Sequence, residues 1–230
     1  MNKLREYAPN LITFTTLICG MSSIALAIEG HLNLAGVLIL AGYLLDSVDG
    51  GVARRLGVSS EFGTQLDSLV DIIIFGGASS VLVWQHLSGT HLVRWSYWVS
   101  GVIFVLACAY RLARFNLYTD ETKNNESVGL TTSTSGAFIA LAVLADHAFD
   151  QHLFIDWFFP LLLFMVSILM VSRIRFPELH IILRRRRMSF AILSTSLIAA
   201  YWLTPQLVWF GLTTGYISFG VLRAGLRQIL

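Results

Sequence analysis

The stretch LLDSVDGGVARRLGVSSEFGTQLDSLVDIIIF, from Leu44 to Phe75, combines apolar runs with four acidic side chains. These are Asp46, Asp49, Asp67 and Asp71. A charged side chain is costly inside a bilayer, and acids in apolar segments therefore mark functional sites. The stretch predicts two membrane helices that meet at a short loop and carry a polar site between them.

The whole chain has the composition of a membrane protein. Of its 230 residues, 55% are hydrophobic and 13% are charged, and the mean hydropathy is +0.68. A helix that crosses a bilayer needs about 20 apolar residues. We therefore expect an all-α integral membrane protein with about eight transmembrane helices, at residues 11–28, 33–53, 64–87, 96–118, 130–150, 153–172, 188–204 and 206–223.

Lys and Arg residues predict the orientation of these helices. If the N-terminus is cytoplasmic, 15 of the 16 basic residues fall on the cytoplasmic side and only Arg94 falls outside. Short cytoplasmic loops retain positive charge. We expect both termini and the acidic site to face the cytoplasm, and we expect the arginine run at 184–187 to meet lipid headgroups, with no nucleic-acid partner.

The acidic residues form two helical faces. Residues spaced by three, four or seven positions share one side of a helix. The first face holds Asp46, Asp49, Gly50 and Ala53, and the second holds Gly63, Asp67 and Asp71. Because a short loop makes neighbouring helices antiparallel, four carboxylates are expected to converge beside small residues that admit a bulky ligand.

Carboxylate oxygens without nearby His or Cys favour Mg²⁺, Mn²⁺ or Ca²⁺ over zinc or copper. Cations held beside Arg54 suit a phosphate or pyrophosphate ligand. Two other interpretations remain open from residue types alone. The acids could form structural ion pairs with Arg54, Arg111 or Arg114, or line the ion pathway of a cation-coupled transporter.

The complete spacing is Asp46-x2-Asp49-Gly50-x2-Ala53-Arg54-x8-Gly63-x3-Asp67-x3-Asp71. This pattern resembles the signature of the CDP-alcohol phosphotransferases at every defined position. The resemblance implies a membrane enzyme that transfers a phosphatidyl or similar group from a CDP-linked donor to an alcohol and releases CMP.

Three further segments resemble the phosphatidylserine synthase branch of that family. They are PNLITFTTLICG at 9–20, YRLARFN at 110–116 and LMVSRIRFP at 169–177. The resemblance implies a six-helix core over residues 1–180. Residues 181–230, with a basic loop and the last two predicted helices, lie beyond that core.

Two segments depart from that branch. GLTTSTSGAF stands at 129–138 where a GLPxP-like segment is expected, and FGGAS stands at 75–79 in place of FGVAP. L-Serine is the leading acceptor that the resemblance implies. Glycerol 3-phosphate, an inositol phosphate and choline are the alternatives.

The resemblance also implies roles for the residues of the signature. By this resemblance the donor would be CDP-diacylglycerol, and two divalent ions, Mg²⁺ or Mn²⁺, would be held by Asp46, Asp49, Asp67 and Asp71. Asp71 would also be the general base. The donor would be contacted by Gly50, Ala53, Arg54 and Gly63.

A serine acceptor would present a carboxylate, which arginine binds well. The candidates are Arg111, Arg114, Arg173 and Arg175, each of which could instead be a cytoplasmic topology anchor. By analogy with the family we expect a homodimer in a bacterial-type inner or plasma membrane. The Gly211-x3-Gly215 spacing would permit close helix contact.

Overall fold

The computed structural model describes residues 3–56, 61–90, 94–118, 126–149, 153–177 and 204–229. Within these ranges helices occupy seven of the eight predicted segments. The eighth segment, 188–204, lies outside them except for its last residue. The helices are α1 (Lys3–Ile28), α2 (Leu32–Leu56), α3 (Glu61–Asp71), a π-helical turn (Ile72–Ala78), α4 (Ser79–His86), α5 (Arg94–Tyr118), α6 (Thr132–His147), α7 (Phe158–Val171) and α8 (Pro205–Ile229).

The helices confirm an all-α integral membrane protein. Among the described residues, four spans are long and apolar enough to cross a bilayer: Asn10–Ile28, Glu61–His86, Trp95–Leu117 and Pro205–Leu226. Shorter apolar helices cover Leu32–Val48 and Phe158–Val171. Exposed tryptophans lie at the ends of the helices remote from the aspartates, as expected for side chains at a membrane interface; they are Trp84, Trp95, Trp98, Trp157 and Trp209.

Helices α1 and α2 form an antiparallel hairpin. Gly30 adopts a left-handed φ of 86°, a conformation that costs glycine little. The His31 amide donates to the Leu26 carbonyl at 2.8 Å, which closes the end of α1. The Ser23 hydroxyl donates to the Ala35 carbonyl at 2.8 Å and joins the two helices in the core.

The π-helical turn lies at the centre of the bundle, directly after Asp71. Ile74 and Phe75 in this turn are fully buried. A Cβ added to Gly20 of α1 would lie 2.9 Å from the Ile74 Cβ, and one added to Gly42 of α2 would collide with the Ile74 Cδ1. Helices α1 and α2 therefore approach the turn closely because both present glycine to it.

Helix α6 is the buried helix of the fold, since its residues from Thr134 to Asp146 are all buried. A helix that is apolar on every side requires neighbours all round it. Its far end is closed by a polar contact in which the His86 Nε2 lies 2.8 Å from the Asp146 Oδ2. The Phe154 amide donates to the other Asp146 carboxylate oxygen at 2.7 Å.

A short antiparallel ribbon lies where α5 and α7 end and α6 begins. The sequence patterns did not predict this ribbon. Strand β1 (Glu126–Val128) pairs with β2 (Arg175–Pro177), with Ser127 opposite Phe176. Gly129 has a φ of 79°, and its amide donates to the Ile174 carbonyl at 2.7 Å. The fully buried Phe176 ring packs where Gly220 of α8 leaves space.

The contact between α6 and the π-helical turn yields a stability prediction. A Cβ at Gly136 would lie 2.6 Å from the Phe75 Cβ and 2.7 Å from its Cα, so Gly136→Ala must push backbone apart. Overpacking of this kind costs about 1–3 kcal/mol. We expect a lower midpoint of thermal unfolding in detergent, followed by circular dichroism. Gly225→Ala is the matched control, because its Cβ would meet no atom within 4 Å; equal midpoints for the two variants would contradict the prediction.

Candidate functional site

Three of the four predicted aspartates converge. One carboxylate oxygen from each of Asp46, Asp67 and Asp71 lies within 4.8 Å of the other two. Asp46 comes from the second half of α2, and the other two lie one helical turn apart on α3. Asp71 is the most enclosed of the three and is 9% exposed. Three hard oxygen donors at this spacing could hold a divalent cation.

For most of the remaining signature residues the structure describes only the backbone. The backbone of α2 continues through Asp49, Gly50, Ala53 and Arg54, but their side chains lie outside the part of the structure that is described. Gly63 lies on α3 one turn before Asp67, as the helical spacing predicts. Whether these residues contact a donor nucleotide therefore stays a prediction.

Arg111 of α5 lies within electrostatic range of the acidic group. Its side chain is 6% exposed, and it interacts electrostatically with Asp71. The guanidinium donates from Nη1 to the Thr132 hydroxyl at 3.1 Å and from Nη2 to the Ser127 hydroxyl at 3.2 Å. A buried cation next to the acidic group gives the site both signs of charge.

Two polar contacts between helices fix this arrangement. The Asn116 amide of α5 donates to the Ser68 hydroxyl of α3 at 3.0 Å, beside Asp67 in the chain. On the other side, the Tyr43 side chain of α2 interacts with the Thr134 side chain of α6. The sequence analysis did not single out Tyr43. The three-residue spacing that places it on the helical face of Asp46 is the signal that could have identified it.

The other three predicted acceptor arginines are placed differently from Arg111. Arg114 donates to backbone carbonyls near the end of α7, most closely to Val171 at 2.9 Å, and also to the Val128 carbonyl of β1 at 3.2 Å. Helix C-termini favour such a cation because their last carbonyls lack helical partners. Arg173 and Arg175 have exposed side chains on the segment that follows α7.

The two segments that depart from the phosphatidylserine synthase pattern contact each other. FGGAS at 75–79 includes Phe75, whose backbone meets Gly136 in the segment at 129–138. The Ser79 hydroxyl also donates to the Gly136 carbonyl at 3.3 Å. The departures therefore meet in one helix–helix contact that includes none of the three clustered aspartates.

Comparisons with known proteins identify the family to which the chain with these clustered aspartates belongs. A sequence model of the CDP-alcohol phosphatidyltransferase family matches residues 6–172. The chain is 31% identical over 222 residues to the CDP-diacylglycerol–serine O-phosphatidyltransferase of Helicobacter pylori, covering 94% of this chain and 90% of that protein. It is 30% identical over 182 residues to the Bacillus subtilis protein of the same name, covering 75% and 91% of the two chains.

A third relative is named for a different lipid product. The chain is 33% identical over 172 residues to the archaetidylserine synthase of Methanothermobacter thermautotrophicus, covering 74% of this chain and 69% of that protein. The names of these relatives differ in the lipid, but all of them include serine.

The converging carboxylates predict a divalent-cation site. Purified protein should bind Mn²⁺, and Asp67→Asn or Asp71→Asn should weaken the affinity by about tenfold or more, since even residues that only support a metal ligand contribute about 10- to 100-fold. Free Mn²⁺ is measured by electron paramagnetic resonance. Asp156→Asn, before α7 and outside the cluster, is the control. Unchanged affinity in both cluster variants would exclude the site.

Proposed function

This chain belongs to the CDP-alcohol phosphatidyltransferase family, and we propose that it transfers the phosphatidyl group of CDP-diacylglycerol to L-serine. The products are phosphatidylserine and CMP. The single observation that carries the proposal is the convergence of Asp46, Asp67 and Asp71 beside the buried Arg111. The serine in the names of the relatives supports the choice of acceptor.

The reaction requires one bond to form and one to break. The serine hydroxyl oxygen bonds to the donor phosphorus that carries the diacylglycerol, and the bond from that phosphorus to the bridging oxygen of the pyrophosphate breaks. CMP leaves with the bonding electron pair. Asp71 accepts the hydroxyl proton as general base, and its enclosed position suits it to a proton transfer shielded from water.

The acidic residues fit a divalent metal, because their donor set consists of carboxylate oxygens at close spacing. Asp46, Asp49, Asp67 and Asp71 would hold two Mg²⁺ or Mn²⁺ ions. When bound, such ions neutralise the pyrophosphate and stabilise the charge that develops on the leaving CMP.

The donor site is assigned to the small residues of the signature. Gly50 and Ala53 on α2 and Gly63 on α3 would leave room for the nucleotide, and Arg54 would contact a donor phosphate. The acyl chains of the donor can remain in the bilayer while its pyrophosphate reaches the aspartates. This arrangement accounts for a nucleotide site within a membrane protein.

Arg111 is the best-supported partner of the acceptor carboxylate. It is buried and interacts electrostatically with the proposed base, so a serine whose carboxylate binds it would have its hydroxyl on the Asp71 side. The Arg114 guanidinium instead donates to the Val171 carbonyl at the end of α7. The side chains of Arg173 and Arg175 are exposed. These three arginines remain weaker candidates.

The finer organisation is also proposed. Residues 1–180 would form the six-helix family core. Residues 181–230 would form a basic loop and two further helices, which gives eight transmembrane helices in total.

The bias of Lys and Arg supports cytoplasmic termini and a cytoplasmic active site in a bacterial-type membrane. Family analogy supports a homodimer. Reporter fusions at each terminus and the mass of the detergent-solubilised protein test these assignments.

An acceptor panel tests the function. Purified protein is incubated with CDP-diacylglycerol, Mn²⁺ or Mg²⁺, and one of L-serine, glycerol 3-phosphate, inositol phosphate or choline. We expect CMP and a phosphatidyl lipid in equal amounts with serine alone, identified by mass spectrometry. Product with a different alcohol only would overturn serine and retain the chemistry. Metal-dependent cation uptake into proteoliposomes without CMP would instead favour a transporter.

Removing the proposed base gives a second test. Asp71→Ala should lower kcat by about 10²- to 10⁴-fold, the usual contribution of a general base, while binding of CDP-diacylglycerol is largely retained. Single-turnover kinetics and donor binding are measured on the same preparation. Asp156→Ala should behave as wild type. Turnover retained by the Asp71 variant would remove this residue from the role of base.

A further inference from the structure

We propose that Ser127 and Thr132 are positioning residues that hold the Arg111 guanidinium for an acceptor carboxylate and thereby determine selectivity for an amino-acid acceptor. The inference rests on the proposed function, because it assumes that Arg111 receives the acceptor. It concerns residues outside the acidic signature, in β1 and at the start of α6.

The two hydroxyls come from different elements and fix both ends of the guanidinium fork. Thr132, the first residue of α6, accepts from Nη1 at 3.1 Å. Ser127, in the middle of β1, accepts from Nη2 at 3.2 Å. Because an arginine side chain loses rotational freedom on binding a ligand, fixing it beforehand reduces the entropy lost when the acceptor binds.

The donor and acceptor roles of Ser127 are consistent with this holding role. Its hydroxyl donates to the Gly129 carbonyl at 3.3 Å, which leaves its oxygen lone pairs for Arg111. The position of Ser127 is set by the pairing of β1 with β2, where it lies opposite the buried Phe176. The pairing of the ribbon therefore sets the position of the hydroxyl that accepts from the Arg111 Nη2.

The third nitrogen of the Arg111 guanidinium, Nε, carries an N–H donor that could bind a ligand. The Nε of Arg111 is buried and has no hydrogen-bond partner among the residues that the structure describes. A buried N–H without a partner is unfavourable, so a ligand that accepts from it gains free energy. A carboxylate can accept from Nε and the adjacent Nη together, in the two-point geometry that arginine offers and lysine does not.

The chemical nature of the holding groups matters as well. Hydroxyls fix the guanidinium without neutralising it, whereas a carboxylate in the same positions would compete with the acceptor for its charge. Thr132 also lies in the first turn of α6, where the helix dipole favours a negative ligand. Both features favour an anionic group on the acceptor, as in serine, over a neutral or cationic alcohol.

Steady-state kinetics with varied L-serine and varied CDP-diacylglycerol test the assignment. We expect Thr132→Val and Ser127→Ala each to raise the KM for serine by about tenfold, as loss of a hydrogen bond to a charged group can, with the KM for the donor within about twofold of wild type. Thr132→Ser keeps the hydroxyl and should restore the wild-type value. Arg111→Lys should raise the KM for serine at least as much as Thr132→Val.

Matched controls separate this effect from general damage. Thr213→Val removes a hydroxyl that donates to the Trp209 carbonyl within α8, and Ser88→Ala removes one that donates to the Gln85 carbonyl at the far end of α4. Both should leave the two KM values unchanged. An equal rise in the KM for serine and donor, or a Thr132→Ser variant as impaired as Thr132→Val, would reduce the hydroxyls to a structural role and overturn the proposal.

Acceptor selectivity provides a second readout. Ethanolamine has the hydroxyl and amine of serine without the carboxylate, so wild type should prefer serine and the Ser127 and Thr132 variants should lose about tenfold of that preference. An unchanged ratio in these variants would overturn the inference and leave phosphatidyl transfer to serine intact. Absence of serine-dependent CMP release in the wild type would instead overturn the proposed function itself.

Discussion

The close approach of helices to the π-helical turn is the constraint on which the rest of the structure depends. Glycines at positions 20, 42 and 136 let α1, α2 and α6 reach Ile74 and Phe75 without a side chain between them. In a membrane the lipid is as apolar as the core, so helices associate mainly through such close packing. The aspartates of α2 and α3 meet because these contacts hold the two helices together.

The electrostatics of the site follow from that packing. Three carboxylates within 4.8 Å of one another repel in a medium of low dielectric, and Arg111 is the buried cation that the described residues place beside them. Its hydrogen-bond partners among those residues are neutral hydroxyls, so its charge remains available to the acids and to a ligand. The described site thus combines carboxylates that could hold a divalent cation with a buried guanidinium that could bind an anion.

Local spacing predicted the acidic face well, because Gly63, Asp67 and Asp71 lie on regular α-helix, where a four-residue step returns to the same side. It could not distinguish Arg111 from Arg114. Both lie on α5, and only the position of the end of α7 directs Arg114 to carbonyls. The spacing could not predict the ribbon either, because each strand has only three residues and the two strands lie about fifty residues apart in the sequence. The apolar run IIIFGGA reads the same whether it forms an α- or a π-helical turn.

The π-helical turn also lies in the middle of the membrane span Glu61–His86. The side chains before it and after it can therefore point in directions around the helix axis that a continuous α-helix would not allow. An inserted residue in a helix advances the following side chains by about 100° around the axis, and a π-helical turn absorbs such an insertion without breaking the helix. The carboxylates before the turn and the core residues after it can therefore face different neighbours. Evolution could retune the packing of α4 against α5 and α6 in this chain while the aspartates keep their orientation.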